Sequence, residues 1–273
     1  MAQFGYQGNL NTAVAHNTSY RQGLFEGFED STFNLTPICD FVRECDFKYP
    51  LPFKIIGEIP PNSTATISDD QAHTGRYSYK IDNYITAGLD VYLDTLENAL
   101  ILDIPSSDTT VYVKGANACE PTFKPTPGTY LVSAWVYTGD TCNTVVSAPH
   151  MVVYQASGTT PFQEIYASGP VIDGWQRIYG KVTVTATSGL FSLRLKNTLN
   201  HTVYFDDVRF HPWLGNMKSF VYNPLTLRLM AILDENNYAT FYEYDDEGML
   251  IRVKRETERG IMTIEEHRSA LKQ

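Results

Sequence analysis

The sequence holds no apolar run near the roughly 18 residues that a membrane-crossing helix needs, so no helical span is expected. It is also short of positive charge. Its 273 residues carry 21 Lys and Arg against 31 Asp and Glu, a formal net charge of −10. The one basic patch, KRETER at 254–259, is interrupted by acids. A protein that binds nucleic-acid backbones needs clustered Lys and Arg, and that class is excluded.

Catalytic signatures are missing as well. The six histidines, at 16, 73, 150, 201, 211 and 267, show no HExxH spacing. There is neither a GxSxG elbow nor a phosphate-cradling glycine loop. Asp206 and Asp207 are adjacent, and neighbours on a strand point to opposite faces, so they are not expected to flank one glycosidic bond. The chain reads as non-enzymatic. Cysteine is scarce: Cys39, Cys45, Cys119 and Cys142, none in a CxxC pair that would suggest zinc. We read the close sequence pairs Cys39 with Cys45 and Cys119 with Cys142 as two disulfides of an oxidising compartment, with four reduced buried cysteines as the alternative. The opening MAQFGYQGNLNTAVAHN lacks the charged start and apolar core of a signal peptide. Either Met1 is an artificial start, or the protein is exported as part of something longer. Four Asn-x-Ser/Thr sequons, at Asn17, Asn34, Asn62 and Asn200, are what chance gives in a chain rich in Thr and Asn.

What is present is β-forming. Tyr (18) and Phe (14) are abundant, and aromatic and branched side chains suit a half-buried pleated surface. From about residue 64 short strands alternate with turn-formers. In WQRIYGKVTV, Ile178, Val182 and Val184 share one face while Arg177, Lys181 and Thr183 take the other; in FSLRLKN, Phe191, Leu193 and Leu195 oppose Ser192, Arg194 and Lys196. One buried and one wet face per strand is the pattern of an antiparallel β-sandwich. The final TIEEHRSALKQ is the one stretch with a hint of helical period. After His211, FVY, LRLMAIL, YATFYEY and MLIRVKRET are separated by NPLT, DENN and DDEG, which predicts a hairpin meander.

Two resemblances add to this. YDDEGMLIRV at 244–253 resembles the YD repeat of RHS-type proteins, through Tyr244, Asp245, Gly248, Leu250 and Val253, with Met249 departing from the usual Arg. YNPLTLRL at 222–229 is a degenerate copy, with Asn223 for Asp and Leu227 where Gly would sit. The segments GFED (27–30), AHTGRYSYKI (72–81), YLVSAWVY (130–137), GWQRIYGKVTV (174–184) and VYFDDVRF (203–210) resemble, in order and spacing, a galactose-binding-like, carbohydrate-binding-module jelly roll. Together they look like the C-terminal part of a large surface protein of Bacteroidetes-type bacteria. The expected architecture is all-β: an irregular segment over 1–25, an antiparallel jelly-roll sandwich over 26–212, two YD/RHS-type hairpin units over 213–260, and a tail over 261–273. Trp213 is the expected anchor between sandwich and hairpins.

The jelly-roll resemblance implies a structural Ca2+ where first strand, second-strand approach and last strand meet. Glu29, Asp30, Asp206 and Asp207 would supply the hard oxygens it needs; the alternative is that these acids only cap turns or face solvent. Sugar binding would use an aromatic platform, for which Trp135, Tyr137, Tyr154 and Tyr92 are the candidates, with a core role for Trp135 as the alternative. The implied function is a non-catalytic secreted or cell-surface module, at the cell exterior or bacterial outer surface, for adhesion or glycan recognition. The alternative is a structural or adaptor part of a larger RHS-like exported assembly, in contact with other proteins or a preceding part of its own polypeptide. Exposed coplanar aromatics would favour the first; a buried Trp135 and an open β edge would favour the second.

Overall fold

The computed structural model describes residues 1–6, 8–30, 53–56, 61, 63–93, 101–103, 112–114, 123–139, 149–155 and 161–267. Among these, every helix or strand assigned is a β-strand. The four cysteines, and with them the expected disulfides, lie outside the described residues, as do Asn34 and Asn62.

The expected all-β antiparallel sandwich is present. Its first layer runs β4 (Lys54–Ile55), β7 (Thr86–Tyr92), β14 (Leu190–Lys196), β11 (His150–Tyr154) and the start of β12 (Gln163–Ile172). The second continues from the end of β12 through β13 (Trp175–Val184), β10 (Gly128–Tyr137), β15 (Val203–Pro212), β6 (Ser78–Ile81) and β5 (Ala65–Ser68), with β3 (Leu24–Glu26) also on β15. β12 makes the corner: its first residues pair with β11, and after a shift in register its last residues pair with β13. The two layers bury one core between them, with Met151, Val153, Leu193 and Leu195 on one side and Val132, Val136, Ile178 and Phe205 on the other. The faces read from alternation hold in both test strands: Ile178, Val182 and Val184 are buried, and so are Phe191, Leu193 and Leu195. A short ribbon, β8 (Ile101–Asp103) with β9 (Tyr112–Lys114), stands apart.

A third layer covers the outer face of the second. Its order is β1 (Ala2–Gly5), β2 (Leu10–His16), β16 (Asn216–Tyr222), β17 (Leu229–Leu233), β18 (Ala239–Tyr244), β19 (Leu250–Thr257) and β20 (Gly260–Glu266). Two boundaries therefore need correction. Residues 1–25 are not irregular, because β1 and β2 extend the hairpin sheet and β2 pairs with β16. The segment after 260 is not a tail, since β20 pairs with β19 along its length. No helix forms there through Glu266.

The hairpin turns follow from one device. Asn223 Oδ1 accepts the N–H groups of Leu225 (2.8 Å) and Thr226 (3.0 Å). Asp234 Oδ1 accepts those of Asn236 (2.8 Å) and Tyr238 (3.0 Å), and Asp245 Oδ1 that of Met249 (2.7 Å). Such short polar side chains replace backbone partners in a turn. Each turn then places one residue in the left-handed region: Leu227 (φ 56°), Asn237 (φ 67°) and Gly248 (φ 87°).

Candidate functional site

The densest polar cluster sits between the second and third layers. β15 bulges there. Ser133 pairs with Arg209 but Trp135 with Asp206, and Asp207 takes φ 50°. A bulge breaks strict alternation, so both carboxylates reach the same loop, contrary to the opposed faces expected of adjacent strand residues. Asp206 Oδ2 accepts the backbone N–H groups of His73 (2.8 Å) and Thr74 (3.2 Å). Asp207 meets His73 Nδ1 at 2.7 Å and accepts the Thr74 hydroxyl at 2.9 Å. The other ring nitrogen of His73 lies 3.0 Å from Glu256 of β19. Trp135 stacks on the His73 ring, centroids 4.3 Å apart and planes at 17°, and its Nε1–H donates to the Asn237 carbonyl (2.7 Å). Asn237 in turn donates to the Asp207 carbonyl (3.0 Å).

This cluster corrects the sugar platform. Trp135 is 0 % exposed and presents no ring face to a ligand; it joins layers. Tyr137 packs beside it against Trp175 and Tyr204. Trp213 is not the anchor either, being 40 % exposed with the Lys181 ammonium 5.0 Å over its ring. Arg209 does anchor the layers: it is fully buried and donates to the carbonyls of Asp234 (2.5 Å), Leu233 (3.1 Å) and Met217 (3.3 Å). Burial lowers its pKa to about 10, still far above neutrality.

The expected calcium ligands are only partly gathered. Asp206, Asp207 and Glu29 are buried near one another, and burial followed by the charges of Asp207 and Glu29 drives the Asp206 pKa well up. Glu29 Oε1 accepts the N–H groups of Arg76 (2.6 Å) and Tyr77 (2.5 Å), whereas its Oε2 is buried without a partner. Burial, above all, pushes the Glu29 pKa up to about 8. Asp30 turns its carboxylate towards Gly5 of β1 instead. Hard carboxylate oxygens suit Ca2+, and Glu29 Oε2 is the atom a cation would satisfy. Among the described residues, however, no three acids or histidines stand ready as a metal centre.

The outer face of the first layer, on the side of the sandwich away from the third, holds the other two sugar candidates. Tyr154 pairs with Ser192, and Tyr92 with Leu190, in the register of β11, β14 and β7; the side chain of Tyr92 lies outside the described residues. The Arg194 guanidinium lies 4.0 Å over the half-buried Tyr154 ring. Ser192 donates to Asp90, and His150 stacks on Tyr166 (4.5 Å, 29°), whose hydroxyl donates to Glu164 (2.8 Å). Tyr166 is 40 % exposed. Of this group only Tyr154 was singled out from the sequence. The alternation of FSLRLKN had already put Ser192 and Arg194 on one outward face.

No protein-family model matches the chain, and no curated protein matches it. Among solved structures it is similar to the CBM22-1 xylan-binding domain of Paenibacillus barcinonensis Xyn10C, at 12% identity over 69% of this chain and 92% of that one, TM-score 0.37. The K1 cleaved adhesin domain of Lys-gingipain from Porphyromonas gingivalis is similar at 13% identity over 70% and 98%, TM-score 0.35. The CBM22-1 and GH10 modules of Clostridium thermocellum xylanase 10B match at 15% identity, TM-score 0.36, over 59% of this chain and only 26% of their own length. Likeness at this level assigns the chain neither a family nor a function.

Proposed function

We propose that this protein is a non-catalytic glycan-binding module, secreted or held at a cell surface, with an adhesive or recognition role. A single observation supports the site: the half-buried Tyr154 and the exposed Tyr166 stand among Arg194, Asp90 and Glu164 on the first-layer face, above a fully buried Ser192. Rings for a pyranose face beside groups for its hydroxyls are what sugar recognition requires. Fold class alone would not support this, since one fold serves many functions. A broad glycan array, with calcium present throughout, is expected to give a reproducible signal that Tyr154→Ala weakens at least tenfold while the melting temperature holds. Silence across the array from demonstrably folded protein would end this reading.

Two features favour a second reading, a structural or adaptor part of a larger RHS-like exported assembly. Trp135 is spent inside the molecule, and among the described residues β20 is an open edge, with Met262 (53 %) and Ile264 (56 %) exposed. Unpaired strand edges invite pairing with another chain. Kinship with YD-repeat proteins, and a Bacteroidetes-type source, belong to this proposal.

Calcium is a further part of the proposal, at Glu29 with Asp206 and Asp207. The unpartnered Glu29 Oε2 supports it. A bound ion would raise stability by mass action, so the melting temperature is expected to fall by several degrees when EDTA replaces millimolar calcium. Equal melting in both would remove the site.

A further inference from the structure

The first-layer face carries two cations that its described acids do not pair with. Arg194 and Lys196 lie two residues apart on β14, and neither forms an ion pair among the described residues. The acids on or beside this face are engaged otherwise: Asp90 accepts from Ser192 and Glu164 from Tyr166. Arg194 Nε is buried and has no hydrogen-bond partner. The buried N–H of Arg194 left without a partner is the unusual feature of this face, because a partly buried charge is ordinarily paired.

The position of Arg194 is built. A Cβ on Gly88, across the register on β7, would come within 2.7 Å of Arg194 Cγ. Only the bare backbone of Gly88 lets the arginine stem lie flat there. The far end rests 4.0 Å over the Tyr154 ring, which holds the guanidinium in place. A planar fork held on an aromatic ring with an unused N–H matches a carboxylate, whose two oxygens it can meet side by side. Lys196, roughly 7 Å further along the strand, adds a second point charge.

We infer that the first-layer face recognises an acidic polysaccharide through the carboxylate of a uronic acid, with Arg194 as the carboxylate-binding residue and Lys196 in support. This rests on the reading of that face as a glycan site and sets its specificity. The sugar packs against the exposed Tyr166, and the guanidinium, seated on Tyr154, selects acid over neutral sugar.

The test compares binding to polygalacturonate, to the same polymer fully methyl-esterified, and to neutral xylan, by calorimetry at two salt concentrations. The expected result is preference for the free acid, weakened by salt, and reduced roughly tenfold or more in Arg194→Gln. Arg194→Lys should recover part of that loss, and Lys196→Gln should give a smaller one, which keeps the test decisive if the glutamine variant at 194 melts early. Equal affinity for esterified and free polymer, or preference for xylan, overturns the inference while leaving the glycan reading standing. Failure to bind any of the three, followed by silence on the array, removes both.

Discussion

His73 has carboxylates on both ring nitrogens, one from the sandwich and one from the hairpin sheet, and a tryptophan stacked on its face. Burial works against a charge on the ring, but Glu256 and Asp207 outweigh it and hold the pKa up at about 9. The folded value is thus raised above the ordinary 6.5. The resulting stabilisation is fully present below pH 6.5 and is lost as pH rises through about 9. A shift of this size corresponds to something on the order of 3 kcal/mol. Glu29, raised by burial, acts in the same direction between about 4.5 and 8. The melting temperature is therefore expected to fall steadily from pH 6 to pH 9.5. In His73→Gln it should begin lower, since two buried carboxylates lose their cation, and should change less across that window. A wild-type curve flat from pH 6 to 9.5 would show that His73 is uncharged in the folded state. No sequence signal distinguished this histidine, because Asp207 and Glu256 come to it from distant strands and only the bulge turns Asp207 inward.

At the scale of strands and turns, much was legible. Alternation assigned the buried face of β13 and β14 because each has one core side and one outer side. The outer side proved harder to read: that of β14 is partly buried, with Ser192 at 0 % exposure, while Trp135 on β10 lies under a third layer. Local pattern gives the period of a strand and is silent about what covers its second face. The hairpin turns were readable from Asn and Asp, since their chemistry is local. The turn after Tyr222 has leucine where the turn after Tyr244 has glycine, at a cost. Leu227 holds φ 56°, a conformation that disfavours a side chain with a Cβ by about 1–2 kcal/mol. Leu227→Gly is accordingly expected to raise stability by about 0.5–1 kcal/mol after the greater freedom of glycine in the unfolded chain is counted. Urea denaturation would measure it, and a loss of stability would mean that the half-exposed Leu227 side chain contributes more packing than its turn costs.

On the scale of the whole molecule, the sandwich is one unit of packing and the hairpin sheet is its cover, joined by Arg209, His73 and Trp135. The sequence boundaries drawn between them miss this because the cover is assembled from both ends of the chain. The pairing of β2 with β16 leaves no local trace, as neither strand's composition names its partner. That pairing also orders events in time. During synthesis β1 and β2 emerge well before β16 to β20, so the cover waits until the intervening sandwich has been made. Until then Phe25, Trp135 and Trp175 are left without their lid, and contacts so remote in sequence form slowly. The newborn protein thus passes through an interval with a sticky flank, and whatever escorts it would do its work there.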